Sequence, residues 1–277
     1  MAGGVLQLAM QWPVLVRLGV TLKPAFSFRH PGIRQMGLLF VPAFFGAAIY
    51  QINIFIGTIL ASLLPTGSVS YLYYADRIVE LPLGVFAIAV GTAVLPSLSE
   101  HVADGELDAL RDTLSFSLRL ILFVTLPATV ALVLLRVPII SVLFQRGAFD
   151  LPATLATADA LLYYTLGLWA FSLIRVVVSA FYSLQDTKTP VKVAFVAFLV
   201  NVAVSVALMF PMKHSGLALA TSVSSAVNVG ILYVILRKRI GPFLGALFAG
   251  SFFRMSSAAL AMGAVIALWK AAVPWVP

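Results

Sequence analysis

The 277-residue chain has no cysteine, three histidines and ten acidic residues. Without a thiol there is no disulfide, no thiolate metal site and no cysteine nucleophile. His30, His101 and His214 all fall near predicted loops. Charged residues make up 10% of the chain, against about 25% in an ordinary soluble domain. The alternating segments of about ten residues that mark a membrane barrel are missing, which argues against strands. No GxSxG, HExxH or Walker pattern occurs, so neither an enzyme nor a nucleotide-driven motor is expected, and no cofactor. The N-terminus has no basic region followed by a short apolar core and a small-residue cleavage site, so a signal peptide is not expected.

What the chain has is apolar length. It is 61% hydrophobic, with a mean hydropathy of +1.05. A membrane-crossing helix needs about 20 apolar residues. Seven stretches qualify: Met36–Leu64, Ser68–Leu98, Leu114–Leu135, Thr154–Leu184, Val191–Phe210, Gly216–Leu236 and Phe252–Trp269. The expected fold class is therefore all-α, a polytopic membrane helix bundle of seven transmembrane helices. Residues 36–277 form the transmembrane lobe. Residues 1–35 carry the tail of a truncated span or an interfacial helix (Val5–Leu18) and a linker. Pro42, Pro82 and Pro127 lie inside spans and predict kinks that neighbouring helices and water can accommodate. Between Arg136 and Ala153 the apolar periodicity of VPIISVLF, ending in Arg, Gly and Asp, predicts a short interfacial helix and a turn.

The net charge of +8 admits a nucleic-acid partner in principle, but the basic residues flank apolar spans. With seven crossings, eleven Lys and Arg residues fall on one side and four on the other, and Arg77, Arg119 and Arg175 lie within spans. The positive-inside rule makes the eleven-residue side cytoplasmic. That side includes the acidic loop from Ser99 to Thr113. No nucleic-acid partner is expected.

Charge inside a span is the main functional signal. Asp76, Arg77 and Glu80 fall within five residues of an apolar helix, where one charge costs about 3 kcal/mol on insertion scales. On a helix Asp76 and Glu80 share a face, and Arg77 and Glu80 are three apart. Two readings stand: a self-neutralising Arg77–Glu80 pair, or a cavity-lining cluster in which Arg77 faces an anionic ligand. A guanidinium suits phosphate because its planar fork can engage two oxygens. Arg119 is placed to snorkel to the cytoplasmic surface. Arg175 lies deeper, and a cavity role and a structural role are both open to it. Gln51, Asn53, Asn201 and Asn228 are uncharged polar groups suited to bonds between helices, and the small residues of Gly216–Gly230 suit close helix packing.

The stretch YYADRIVELPLGVFAIAVGTAVLPSLSEH, Tyr73–His101, resembles the signature of the MurJ (MviN) family, bacterial lipid II flippases of the MATE-like transporter superfamily. GGVLQ at Gly3–Gln7, QIN at Gln51–Asn53, LFQRGAFD at Leu143–Asp150, AFYSLQDTKTPVK at Ala180–Lys192 and GLALATSVSSAVN at Gly216–Asn228 follow in the family's order. The resemblance implies a two-lobed transporter of the cytoplasmic membrane. It would move lipid-linked peptidoglycan precursor between leaflets by alternating access through a central cationic cavity. It implies that the seven spans form the second lobe, Gly3–Leu18 the end of the preceding helix, and a first lobe of six helices a separate partner. Arg77 and Glu80 then match charged cavity positions, and substrate binding is expected of Arg77, Glu80, Asp76 and Arg175. Some relatives hold a cation with carboxylates at positions aligned loosely with Gly57 and Ser205. Those residues carry no charge, which leaves Asn201 and Thr221 as the candidate cation ligands. Rival readings are a flippase for another polyprenyl-linked oligosaccharide such as O-antigen, a membrane scaffold that recruits cell-wall enzymes, and an integral transferase using Asp76 and Glu80.

Overall fold

The computed structural model describes residues 2–17, 19 and 31–272. Most of the linker expected before the first full span, residues 20–30, lies outside the described residues. The chain divides into two compact units, Met1–Phe40 and Val41–Pro277. The first contains α1 (Ala2–Arg17) and the start of α2 (Pro31–Ser62). The second holds the rest of α2, then α3 (Ser68–Pro82), a π-helical segment (Leu83–Ile88), α4 (Ala89–Ala103), α5 (Leu107–Phe144), α6 (Leu151–Thr165), α7 (Leu168–Ser183), α8 (Lys188–Ile240) and α9 (Ala246–Ala272).

Each of the seven apolar stretches falls on helix, but the helices divide them differently. Four helices are long and apolar enough to cross a membrane among the described residues: Ser68–Ala103, Leu107–Phe144, Lys188–Ile240 and Phe248–Ala272. A fifth crossing results if α6 and α7, bent by 43°, count as one span. The two stretches expected at Val191–Phe210 and Gly216–Leu236 lie in the 53-residue α8, which breaks at Lys213 (φ 52°, ψ −134°) two residues after Pro211. The interfacial helix expected after Arg136 is not a separate element. Its residues extend α5 to Phe144, and only Gln145–Asp150 connects to α6. Val137–Phe144 is apolar enough to prolong the span, and Asp150 then caps α6 by accepting from the Ala153 N–H at 2.9 Å.

Two larger cores hold the second unit, beside a small cluster of Ala61, Met209 and Leu217. One joins Leu98 of α4, Leu110, Leu114 and Ile121 of α5, Phe181 of α7, and Leu232 and Leu236 of α8, all at 0–1% exposure. The other joins Ala75 and Val79 of α3, Ile140 of α5, Ala158 and Leu161 of α6, and Leu168 of α7. Small residues let the backbones approach, because packing rather than water exclusion drives helix association in lipid. At Gly167, between α6 and α7, an added Cβ would sit 2.8 Å from the Ser222 Cα. The Gly167 N–H bonds to the Tyr164 carbonyl, and the Tyr163 carbonyl is taken at 2.6 Å by the Ser222 hydroxyl. The same closure occurs on α5. Pro138 has no N–H to offer Leu134 four residues before it, and Lys270 of α9 donates to that carbonyl at 2.9 Å.

Candidate functional site

Pro82 removes one rung of helix α3, and the π-helical turn that follows shifts the register of the side chains beyond it. Before that shift, Asp76, Val79, Glu80 and Leu83 occupy positions i, i+3, i+4 and i+7 of one face. That face lines a cavity of about 490 Å³, within the usual range for small-molecule sites. The other walls repeat the spacing. Gly46, Ile49, Tyr50 and Asn53 come from α2, and Ala194, Ala197, Phe198 and Asn201 from the first arm of α8. Thr221, Ser224, Ser225 and Asn228 come from its second arm, and Phe171, Ile174 and Arg175 from α7. Tyr164, on α6 just before the bend, and Gly84 and Ile88 of the π-helical segment complete the lining.

Five of the six residues singled out from the sequence thus meet on one cavity: Asp76, Glu80, Arg175, Asn201 and Thr221. Arg77 is not among the lining residues. One position on from Asp76, it is turned by about 100° around the helix. There its guanidinium reaches Glu80 at 2.7 Å and Asp76 at 3.3 Å and stands 5.0 Å above the Tyr73 ring. The three charged side chains are 41–48% exposed. Arg175 makes no salt bridge among the described residues and so brings an uncommitted guanidinium to the wall.

Asn201 and Thr221 are engaged with each other. The Asn201 amide donates to Thr221 at 3.4 Å and to Ser224 at 3.3 Å. Both hydroxyls donate back into α8, to the Leu217 and Thr221 carbonyls. Gly57 and Ser205 do not line the cavity. No group of three or more His, Cys, Asp or Glu side chains converges on a metal-sized point among the described residues.

Asn53 and Asn228, read from the sequence as interhelical glue, behave otherwise. Their amide oxygens are buried and have no hydrogen-bond partner among the described residues, although an unpaired buried acceptor costs about 1–3 kcal/mol. Tyr164 went unnoticed in the sequence. A tyrosine between apolar neighbours in LLYYT looks like packing, and its place on the cavity wall depends on which helices stand beside α6.

Outside the spans, Asp186 organises the α7–α8 connection. It accepts from the Thr189 N–H at 2.9 Å, the Thr189 hydroxyl at 2.7 Å and Arg239 at 2.6 Å. Burial pushes its carboxyl up, but these bonds outweigh that and hold it below the usual carboxylate range. Nearby, Arg111 donates to the Ile240 carbonyl at the C-terminal end of α8.

Long apolar helices, one bent pair, one broken helix and a polar cavity walled by single helix faces define a multi-pass membrane helix bundle. Solved structures agree. A MATE-family multidrug resistance transporter of the MOP superfamily in its outward-facing conformation matches with a TM-score of 0.61 at 15% identity, over 81% of this chain and 52% of that one. A structure described as the lipid II flippase MurJ, inward closed conformation, matches with a TM-score of 0.75 at 28% identity, over 97% of this chain and 54% of that one. The sequence model of the family described as "Lipid II flippase MurJ" matches residues 1–277, and the chain belongs to that family. Among its relatives, the probable lipid II flippase MurJ of Haemophilus influenzae is 36% identical over 270 residues, covering 95% of this chain and 53% of the relative. That of Vibrio cholerae is 38% identical over 231 residues, covering 83% of this chain and 44% of the relative. The chain spans about half the length of the curated relatives it matches.

Proposed function

We propose that this chain works as one lobe of a lipid II flippase. It moves lipid-linked peptidoglycan precursor from the inner to the outer leaflet of the bacterial cytoplasmic membrane by alternating access, and no bond is made or broken. Residues 36–277 serve as the transmembrane lobe. Residues 1–35 are the end of a preceding helix and a cytoplasmic linker, and a first lobe of six helices supplies the facing wall. The observation that carries the reading is the shared cavity: charged and polar residues of helices far apart in sequence line one space, in a chain of this family. Alternating access between two halves around a site at mid-membrane is how such transporters work in general.

The roles of the charged residues follow from their partners. Arg175, uncommitted on the cavity wall, contacts the diphosphate of the substrate, for which its planar fork is suited. Asp76 and Glu80 face the cavity while holding Arg77 between them. Closure of the lobes lets the substrate's diphosphate compete for Arg77, so the triad is a store of one exchangeable cation. Depletion of the chain in the cell, followed by extraction of lipid-linked intermediates, tests the reading. Accumulation of lipid II facing the cytoplasm is expected. Accumulation of a different polyprenyl-linked oligosaccharide would instead assign the chain to that substrate, and no accumulation would leave the scaffold reading.

A further inference from the structure

Four of the eighteen Lys and Arg residues, Arg136, Arg146, Lys213 and Lys270, fall on the side that the positive-inside rule makes external. Two of the four stand together. The Lys270 ammonium of α9 donates to the Leu134 carbonyl of α5 at 2.9 Å, and the Arg136 guanidinium turns back along α5 to the Val133 carbonyl at 3.1 Å. Consecutive carbonyls of one helix thus hold two cations, which puts the charges within about 10 Å of each other. Close packing fixes the pairing: a Cβ at Gly263, about two turns before Lys270 on α9, would stand 2.7 Å from the Val130 side chain of α5. No counter-ion answers the pair. α9 has no acidic residue, and Asp108 and Asp112 are at the other end of α5. Neither cation is in an ion pair among the described residues. The carbonyls do not use up the donors. An ammonium has three N–H groups and a guanidinium five, and each side chain spends one here.

We propose that Arg136 and Lys270 form a binding site for the phosphate of an anionic phospholipid in the outer leaflet. Like charges held together at a membrane repel until an anion joins them, and a phosphate offers oxygens to both. The guanidinium fork takes two oxygens, and the ammonium reaches another as a point charge. The depth suits a headgroup. Arg136 follows directly on the apolar stretch Leu114–Leu135, and Trp269, beside Lys270, is 55% exposed, as tryptophans at the headgroup level are. A phospholipid is favoured over a free anion because it already holds its phosphate at this level. Leu260, Val265 and Leu268 of α9, exposed just below, offer its acyl chains an apolar surface. The site touches neither the cavity nor the substrate proposed for it, so its failure would leave the flippase reading as it is.

The test places the purified 277-residue chain in phosphatidylcholine nanodiscs, adds phosphatidylglycerol in steps and reads the unfolding midpoint. For the wild type the midpoint should rise with the anionic lipid to a plateau. Arg136→Gln and Lys270→Gln keep an N–H donor for the carbonyl but lose the charge. Each should raise the half-saturating phosphatidylglycerol fraction about tenfold, as the loss of one charge-assisted contact predicts. Lys270→Arg, which keeps the charge, should respond as the wild type does. Arg146 is the control. It donates to the Leu143 carbonyl at 2.6 Å in the same manner, but no second cation is held on an adjacent carbonyl among the described residues, so Arg146→Gln should change nothing. A wild type indifferent to phosphatidylglycerol, or an equal loss in Arg146→Gln, would overturn the proposal. So would the same stabilisation by inorganic phosphate in phosphatidylcholine alone, because the ligand would then be a free anion.

Discussion

Along the seams between helices, several polar side chains end on backbone carbonyls of a neighbouring helix; on the cavity wall, Arg175 makes no salt bridge among the described residues. Lys270 closes on Leu134, Ser222 on Tyr163, Ser179 on Gly91 at 2.7 Å and His214 on Ala156 at 2.9 Å, each reaching from one helix to another. In a medium without water a carbonyl left free by a proline or a bend must find a donor inside the protein. Asn53, Asn228 and Arg175 sit in the same kind of apolar helix and have no such assignment. Polarity alone therefore does not mark a functional residue here. Nor does a missing partner by itself, since the buried hydroxyls of Thr125 and Thr165 are also unpaired and lie away from the cavity; Arg175 combines an uncommitted side chain with a place on the wall.

Four stability measurements in detergent probe the comparison, beginning with the largest effect. Gly167→Leu drives a side chain into Ser222 on α8, and should cost about 3 kcal/mol, at the upper end for overpacking. A smaller loss would mean that the seam is loose. Asp186→Asn should cost about 1.5 kcal/mol at neutral pH, as expected for charge-assisted bonds. Because the folded carboxyl titrates below its unfolded range, its contribution is full above the unfolded pKa and disappears as pH falls through the folded one. Wild type and Asp186→Asn should thus converge in acid, and a gap that stays constant with pH would count against the bonds. Lys270→Met strands the Leu134 carbonyl and should cost about 1 kcal/mol. Arg175→Met, with no partner to lose, should leave the unfolding midpoint unchanged and weaken polyprenyl diphosphate about tenfold. A large loss of stability there would place Arg175 among the seam residues and dissolve the distinction.

The triad on α3 stands between the two regions. Its side chains are half exposed, so the pairing is screened and the expectation concerns sign more than size. Arg77→Ala leaves two carboxylates facing each other on one helix face. Adding Glu80→Ala should recover part of that stability in a double-mutant cycle. Strict additivity would show that the two charges act independently.

Much of this was legible in the sequence, because a bilayer imposes length and apolarity on every crossing. Asp76 and Glu80 were readable as candidate cavity residues from their i, i+4 spacing, whereas the depth of Arg175 left a cavity role and a structural role both open. The aim of Arg77 was not. One residue's step around a helix decides between cavity and flank, and two adjacent carboxylates were free to claim it. Asn53 and Asn228 look in sequence like any interhelical amide, and their lack of a partner depends on walls contributed by α2 and α8. Neither Lys270's bond to a carbonyl 136 positions away nor the place of Tyr164 on the cavity wall leaves a local trace. Both are settled by which helices pack together.

The break at Lys213 gives α8 the geometry of tongs. Asn201 lies on one arm, Thr221 and Asn228 on the other, and Gly216 is the bearing: a Cβ there would run into the Leu208 backbone. At about 1.5 Å per residue, Asn201 is about 18 Å and Asn228 about 22 Å from the pivot. Opening the arms by ten degrees would carry Asn228 about 4 Å, more than a hydrogen bond's length. The Asn201 bonds to Thr221 and Ser224 hold the arms together, so the angle set at Lys213 fixes how far apart these two walls of the cavity stand.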